Sequence, residues 1–321
     1  MTSPPEDKYR IWDTYWRDSR LRTVGADNAE VKAALDLHWG QVASLLPAGA
    51  TILDIACGNG AAALAVARAG QQSAKGFRIA AVDAAAIEPA TYVKRHAQLL
   101  RTIEFHGNTR MEELPFADGA FDAVISQFGF EYGEMSKVAQ EVARVLKPNG
   151  VISMLAMPAS AGVVESAGKK VKQSKYLLTE SKIFDVALVV AQALHNVESS
   201  GSGRDTRQYL DRFNGEVERV MSRFANTDSD MIIAVVVGLQ KVFTDRKSMD
   251  IAQQIGIINL LKKRVSDHIS RTEAMVHAAL GDAALVGMKR KLTEVGITIA
   301  EAKPISVGTH GTVAWRVSGR K

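Results

Sequence analysis

The sequence has a single cysteine, Cys57, in 321 residues. An internal disulfide and a multi-cysteine zinc site are thereby excluded, and this usage fits a reducing compartment, the cytoplasm by default. Residues 1–13 are polar and contain Pro4 and Pro5, with no apolar stretch that would serve as a signal peptide. The longest apolar run, 231–239, falls far short of the roughly 20 residues needed to cross a bilayer, so no transmembrane segment is expected. A dense basic block is missing as well. The net charge of +5 comes from 40 basic residues against 35 acidic ones, and the tightest clusters, Lys169-Lys170 and Lys262-Lys263-Arg264, read as solvated helix faces. Nucleic acid is therefore not an expected partner. No His/Asp/Glu spacing on one helix face suggests a catalytic metal.

What is present is a globular composition, 46% apolar, in a chain long enough for one large domain or for a core with a sizeable insertion. Trp12, Tyr15, Trp16, Leu35, Leu37 and Trp39 lie among charges in residues 9–46, the pattern of amphipathic helices ahead of a main sheet. Pro47-Ala48-Gly49 ends them. From 51 to 150 short apolar runs alternate with helical stretches, as in βαβ units with a parallel sheet. Strands are expected at 51–56, 78–83, 102–106, 121–127 and 151–157, and helices at 61–69, 90–100 and 135–146. From 158 to 281 the pattern turns helical, with flexible punctuation at Ser199-Ser200-Gly201-Ser202-Gly203. Its strongest helix places Ile251, Ile255, Ile258, Leu261, Val265, Ile269, Val276 and Leu280 on one face. The α/β rhythm then resumes, with a helix at 284–295 and strands at 297–305 and 312–318. A core that closes after a helical excursion is one domain, 1–157 plus 282–321 with a helical cap at 1–46, carrying an insertion at 158–281.

Asp54-Ile55-Ala56-Cys57-Gly58-Asn59-Gly60 sits where the first strand turns into the first core helix, and its glycines let backbone approach a ligand that a Cβ would block. Gly58, Gly60 and Ala63 also satisfy a G-x-G-x-x-A dinucleotide fingerprint. Asp83, ending the second strand, can accept hydrogen bonds from a ribose 2′,3′-diol, again in either setting. These two features leave a nicotinamide-dependent oxidoreductase open.

The rest of the set narrows the reading. Together with Glu112-Glu113-Leu114-Pro115-Phe116, Phe121-Asp122-Ala123-Val124-Ile125-Ser126 and Val145-Leu146-Lys147-Pro148-Asn149-Gly150, these segments resemble the ordered motifs of class I S-adenosylmethionine-dependent methyltransferases. The ubiquinone/menaquinone-biosynthesis and related small-molecule methyltransferases are the nearest in flavour. The resemblance spans 51–157, about a third of the chain. It implies a seven-stranded Rossmann-like α/β sheet, mostly parallel with the last strand antiparallel, and S-adenosylmethionine as cofactor. By the same resemblance, Asp54, Ala56, Cys57, Gly58 and Gly60 hold the methionine part, Asp83 with Ala84 the ribose, Arg110 and Met111 border the adenine, and the strand ending in Gln127 opens onto the reacting methyl. Lys147-Pro148-Asn149-Gly150 is a turn into the fifth strand. Two departures stand out. Ala56 replaces the first glycine of the loop, and Arg110 occupies a place where relatives often carry an adenine-binding Asp, which leaves that contact to backbone or to a side chain the sequence does not identify.

The implied activity is methyl transfer to a small, apolar or bulky metabolite, with O-methylation the expectation. A hydroxyl acceptor can call for a general base, and the candidates are Glu131 and Tyr132 after the fourth strand, His310 in the last turn and His38 on a preceding helix. His195 lies in the insertion. Ser126-Gln127-Phe128-Gly129 replaces the Asp/Asn-Pro-Pro-Tyr/Phe tetrapeptide of amino-methylating DNA and glutamine enzymes, and no Pro-Cys pair is present for cytosine C5 methylation. The insertion is expected to act as a lid over the acceptor or as a homodimer interface. A non-catalytic cofactor-binding regulator or scaffold remains the rival from another class.

Overall fold

The computed structural model of the chain describes residues 7–18, 20–23, 28–200, 205–227 and 230–321. The chain divides into two compact units, Met1–Glu165 with Ala274–Lys321, and Ser166–Glu273. In the first unit, helices α1 (Asp7–Arg17) and α2 (Ala29–Leu45) precede β1 (Thr51–Ile55), α3 (Ala61–Gln72) and β2 (Arg78–Val82). Short helices α4 (Pro89–Tyr92) and α5 (Ala97–Leu100) lead to β3 (Glu104–His106), then β4 (Phe121–Gln127), α6 (Met135–Val145) and β5 (Leu146–Ala156). The second unit takes up most of α7 (Gly162–Thr179) and α11 (Ile251–Ala278), with α8 (Ile183–Ser200), α9 (Arg207–Arg223) and α10 (Asp230–Thr244) between them. The first unit closes with α12 (Asp282–Glu294), β6 (Thr298–Ser306) and β7 (Thr312–Arg320).

The seven strands form one sheet in the order β3-β2-β1-β4-β5-β7-β6. β1 to β5 pair in parallel, while β7 runs antiparallel to both β5 and β6. Both faces of the central strands are covered, which is why their sequences read as continuous apolar runs. Successive side chains alternate between faces. Ile52, Ala123, Ile125 and Leu155 pack with Leu35, Trp39 and Leu64 of α2 and α3. Their neighbours Leu53, Val124 and Met154 pack with Val138, Val142, Met288 and Leu292 of α6 and α12.

Several local expectations are revised. The helix expected at 90–100 is broken into α4, a 3-10 turn at Lys94–His96 and α5, because Val93 is buried with φ −103°, ψ 73°. Lys147-Pro148-Asn149-Gly150 is not a turn ahead of β5 but an irregularity within it. The pairing with β4 shifts register between Phe121 and Ala123, Asn149 takes φ +61°, and Lys147 reaches Asp122 at 2.9 Å. Val276, expected on the buried face of α11, is exposed. Leu280 lies beyond that helix, where its N–H donates to Met157 O at 2.7 Å. Residues 158–165 and 274–281, read from the sequence as part of the insertion, belong to the first unit. Of the Ser/Gly punctuation, Ser199 and Ser200 close α8, and 201–203 lie outside the described residues.

The second unit has its own apolar core, built from Leu177, Phe184, Val190, Phe213, Leu239, Ile258 and Val265 among others. Among the described residues no helix of the chain is long and apolar enough to cross a membrane.

Candidate active site

In an open parallel sheet, the loops leaving the carboxyl ends of two neighbouring strands diverge where the strand order reverses. Here that point lies between β1, which continues toward β2 and β3, and β4, which continues toward β5. A cleft of about 940 Å³, continuous with solvent, opens there. Asp54, Ala56 and Cys57 enter it from β1, Asp83 and Ala84 from β2, Thr109, Met111 and Glu112 from beyond β3, and Gln127, Phe128 and Gly129 from β4. Asp54, Ala56, Cys57, Asp83, Ala84, Met111 and Gln127, read from the sequence as parts of one site, are therefore brought together from four strand ends, while Gly58 behind them does not line the cleft.

The backbone bends sharply to make this wall. Ala56 and Phe128 hold φ of +50° and +55° without being glycine, a conformation that costs of order 1 kcal/mol or more and persists only where surroundings enforce it. Gly58 has φ +52°, and a Cβ there would lie 2.3 Å from the Trp16 ring. At Gly129 a Cβ would meet that of Ala56 at 2.5 Å, so β4 can leave the sheet across the β1 loop only as glycine.

Asp83 organises the loop. Its Oδ2 accepts the Gly58 N–H at 2.7 Å and its Oδ1 the Ala85 N–H at 2.8 Å, and each oxygen retains a lone pair for a ligand. Burial pushes its pKa up to about 6 against the pull of those two hydrogen bonds. Asp54, fully buried beneath the loop, accepts the Ala63 N–H at 3.0 Å through Oδ2, while Oδ1 has no hydrogen-bond partner. Burial drives its pKa to about 8, and it also pushes the Cys57 thiol well up. Gln127 accepts the Trp39 indole N–H at 2.7 Å, which fixes the side chain at the end of β4.

The outer wall was not anticipated. Tyr9, Trp12 and Trp16 of α1 line the cleft, with Leu21, Arg22 and Thr23 after them. Trp12 stacks on Trp16 at 6.2 Å and meets Tyr132 edge-on at 5.7 Å. The helix is pinned at both ends of this contact. Asp13 accepts the Ala86 N–H at 2.8 Å, and Asn59 donates to Trp16 O at 2.8 Å and Arg20 O at 2.6 Å. The spacing of Trp12, Tyr15 and Trp16 signals a helix face but not what it covers.

The remaining candidates separate. Tyr132 lines the cleft, and burial holds its hydroxyl protonated far above the usual range. Glu131 does not line it. Its Oε1 accepts the Met157 N–H at 2.8 Å, Oε2 is buried without a partner, and burial raises its pKa to about 7. His38 lies on the buried face of α2, 3.1 Å from Ser153 Oγ, and desolvation lowers its pKa to about 4. His310 is exposed in the β6–β7 turn, 2.7 Å from Asn28 Nδ2. Neither histidine reaches the cleft, so neither can take a proton there. His195 sits in the second unit, 3.4 Å from Ser199 Oγ. Gly60 shapes the turn into α3 without lining the cleft, and the Arg110 side chain turns toward Glu112 at 3.5 Å and the Tyr9 ring at 5.6 Å. That places Glu112, whose side chain is 8% exposed, on the cleft wall beside Met111.

Comparison with known proteins places this cleft in context. The family described as "Methyltransferase domain" matches residues 52–150, the stretch that builds β1 to β4 and the start of β5. The demethylmenaquinone methyltransferase of Thermus thermophilus is 34% identical over 44% of this chain and 59% of its own length. The 27-O-demethylrifamycin SV methyltransferase of Amycolatopsis mediterranei is 24% identical over 73% of this chain and 85% of its own. A solved S-adenosylmethionine-dependent methyltransferase from Aquifex aeolicus aligns over 99% of both chains at 12% identity with a TM-score of 0.44. The chain thus spans little more than half the length of the first of these relatives.

Proposed function

We propose that this chain, whose residues 52–150 match a methyltransferase-domain family, is a class I S-adenosylmethionine-dependent methyltransferase that transfers the cofactor's methyl group to a small acceptor with an apolar or bulky body. The observation that carries the reading is the convergence of Asp54, Ala56, Cys57, Asp83, Ala84, Met111 and Gln127 on one cleft. The residues fit the cofactor. Asp83 keeps acceptor capacity for a ribose diol, and Asp54 offers a buried carboxyl with one oxygen unpartnered. Glu112 supplies the polar partner for the adenine amino group that Arg110 cannot, since both are donors.

Bound S-adenosylmethionine supplies a methyl group made electrophilic by its sulfonium charge. The chain's own share is alignment and exclusion of water. Trp12, Trp16 and Tyr132 form an apolar wall beside Gln127, where the strand opens into the cleft. A proton of a hydroxyl acceptor would have to be taken by a carboxyl group of the cleft, such as Glu112, or be lost to solvent. The rifamycin relative's name carries an O-methylation.

The helical unit, expected from the sequence to cover the acceptor or to join two copies of the chain, leaves Val189, Ile233, Val237 and Leu260 exposed. That supports a homodimer, which sedimentation velocity checks. The lone cysteine, buried at the cleft floor, fits work in the reducing cytoplasm.

The test of activity is incubation with a cell extract and methyl-labelled cofactor, followed by mass spectrometry of the products. Label on an oxygen of a low-molecular-weight product is the expected result. A bound cofactor with no label in any fraction would favour a regulator or scaffold instead.

A further inference from the structure

A second cavity of the first unit, of about 650 Å³, lies beside the cleft and shares Leu21, Arg22 and Ala61 with it. Its other lining residues are Lys32 and Asp36 of α2, Leu64, Ala65 and Arg68 of α3, and Arg95 and His96 of the turn between α4 and α5. Four permanent cations from four different segments thus face one space, against a single carboxylate. Lys32 and Arg95 reach solvent while Arg68 is half-buried and Arg22 buried, so the assembly favours an anionic partner most strongly at its inner end.

The carboxylate present is already engaged. Asp36 takes Arg22 Nη2 at 3.0 Å and Lys32 Nζ at 2.6 Å. Among the described residues neither Arg68 nor Arg95 meets a carboxylate. Arg22 is 7% exposed, and its Nη1 is buried with no hydrogen-bond partner. A buried guanidinium with an unspent donor normally costs stability unless something accepts from it. The neighbouring imidazole registers the same field. His96 is held below its ordinary pKa by burial first and then by Arg68, Arg95, Lys32 and Arg22 together.

We infer that this cavity is a binding site for a multiply charged oxyanion of the phosphate or diphosphate class, held by Arg22, Arg68, Arg95 and Lys32 next to the cofactor cleft. Guanidinium groups suit such a ligand because their planar forks match its oxygens. Two sources carry this chemistry: a phosphate group on the methyl acceptor, and free phosphate or diphosphate as an effector. The first rests on the methyltransferase reading. The site itself does not.

The test is calorimetry on the full chain in a low-salt buffer free of oxyanions, with inorganic pyrophosphate as probe, before and after saturation with S-adenosylhomocysteine. Pyrophosphate is expected to bind at one site per chain in both states. Arg68→Gln with Arg95→Gln is expected to weaken it at least about tenfold, the scale of losing charge-assisted contacts, and to leave S-adenosylhomocysteine affinity unchanged. Lys169→Gln, remote in sequence and outside the cavity, is expected to change nothing. Absence of pyrophosphate binding while S-adenosylhomocysteine still binds would overturn the site and spare the functional reading. Absence of S-adenosylhomocysteine binding alone would do the reverse. Mutual exclusion of the two ligands, or an equal loss in Lys169→Gln, would also overturn a distinct site. Phosphatase treatment of the extract separates the sources: loss of the labelled product assigns the oxyanion to the acceptor, and its persistence assigns it to a free anion.

Discussion

Both halves of the sheet's carboxyl edge carry polar residues, and those residues do different things. Around β1, β2 and β4, Asp54 and Glu131 are buried with an oxygen unpartnered, Ala56 and Phe128 hold positive φ, and a cleft opens. On the β5–β7–β6 half, His38 meets Ser153, His310 meets Asn28, and Arg316 meets Glu301 at 2.7 Å, with Arg316 Nε the one buried atom of these left without a partner. The first half spends stability on strained backbone and poorly solvated carboxyls, and the second uses similar residue types to hold strands and helices together. Residue type therefore says little about role along this edge. Position relative to the reversal between β1 and β4 says most of it.

The largest effect is expected of Gly58→Val. Its Cβ would enter the Trp16 ring at a φ that β-branched residues avoid, so S-adenosylhomocysteine affinity is expected to fall by about 3 kcal/mol or more, over 100-fold. The same side chain exchanged at Gly76, which has a positive φ and open space around it, should leave affinity intact. Next in size is Asp83→Ala, expected to cost about 1.5 to 3 kcal/mol of binding, the scale of a charged hydrogen-bond acceptor. Calorimetry reads both.

A titration sharpens the contrast in the free protein. Asp54, Asp83 and Glu131 have folded pKa values raised to about 8, 6 and 7. The folded state holds protons that the unfolded state releases, so their contribution is fully present below the unfolded pKa near 4 and is lost as pH rises toward 8. Thermal stability of the ligand-free chain should fall over that window, and Asp54→Asn should flatten the fall by more than about 1 kcal/mol. His38 has the opposite sign. Its folded pKa is lowered to about 4, so its contribution is present above 6.5 and lost as pH falls toward 4.

The smallest effects belong to the other half. His38→Gln should cost about 1 kcal/mol of stability through its packing and the Ser153 contact. His310→Ala should stay within about 0.5 kcal/mol, as exposed substitutions do. Neither should alter cofactor affinity or the rate of methyl transfer, measured with labelled cofactor. A large rate loss at His310 would move the catalytic centre to the wrong half of the edge for this account.

Much of the fold was legible because strand runs and helix periods are local. The span 121–127 coincides with β4, and the return of the chain to the sheet after a helical excursion followed from the same alternation. The breaks in 90–100 and the irregular start of β5 depend on Val93 packing and on Lys147 reaching Asp122, contacts that no window of sequence contains. That several of the predicted site residues share one cleft was legible for a related reason: they sit at strand ends, and strand ends were readable. Its outer wall was not. Nothing in Trp12-x-x-Tyr15-Trp16 says that the helix folds back over Gly58, or that Asn59 ties it there. Histidine was the weakest guide, since its chemistry is the same whether it meets a substrate or Ser153.

Calorimetry of S-adenosylhomocysteine on the intact chain, with NAD as the control ligand, decides which nucleotide the β1–β4 cleft holds. Micromolar binding of the first at one site per chain, and none of the second, is the predicted result. Binding of NAD without S-adenosylhomocysteine would contradict the account, because the same glycines and Asp83 would then serve a dinucleotide.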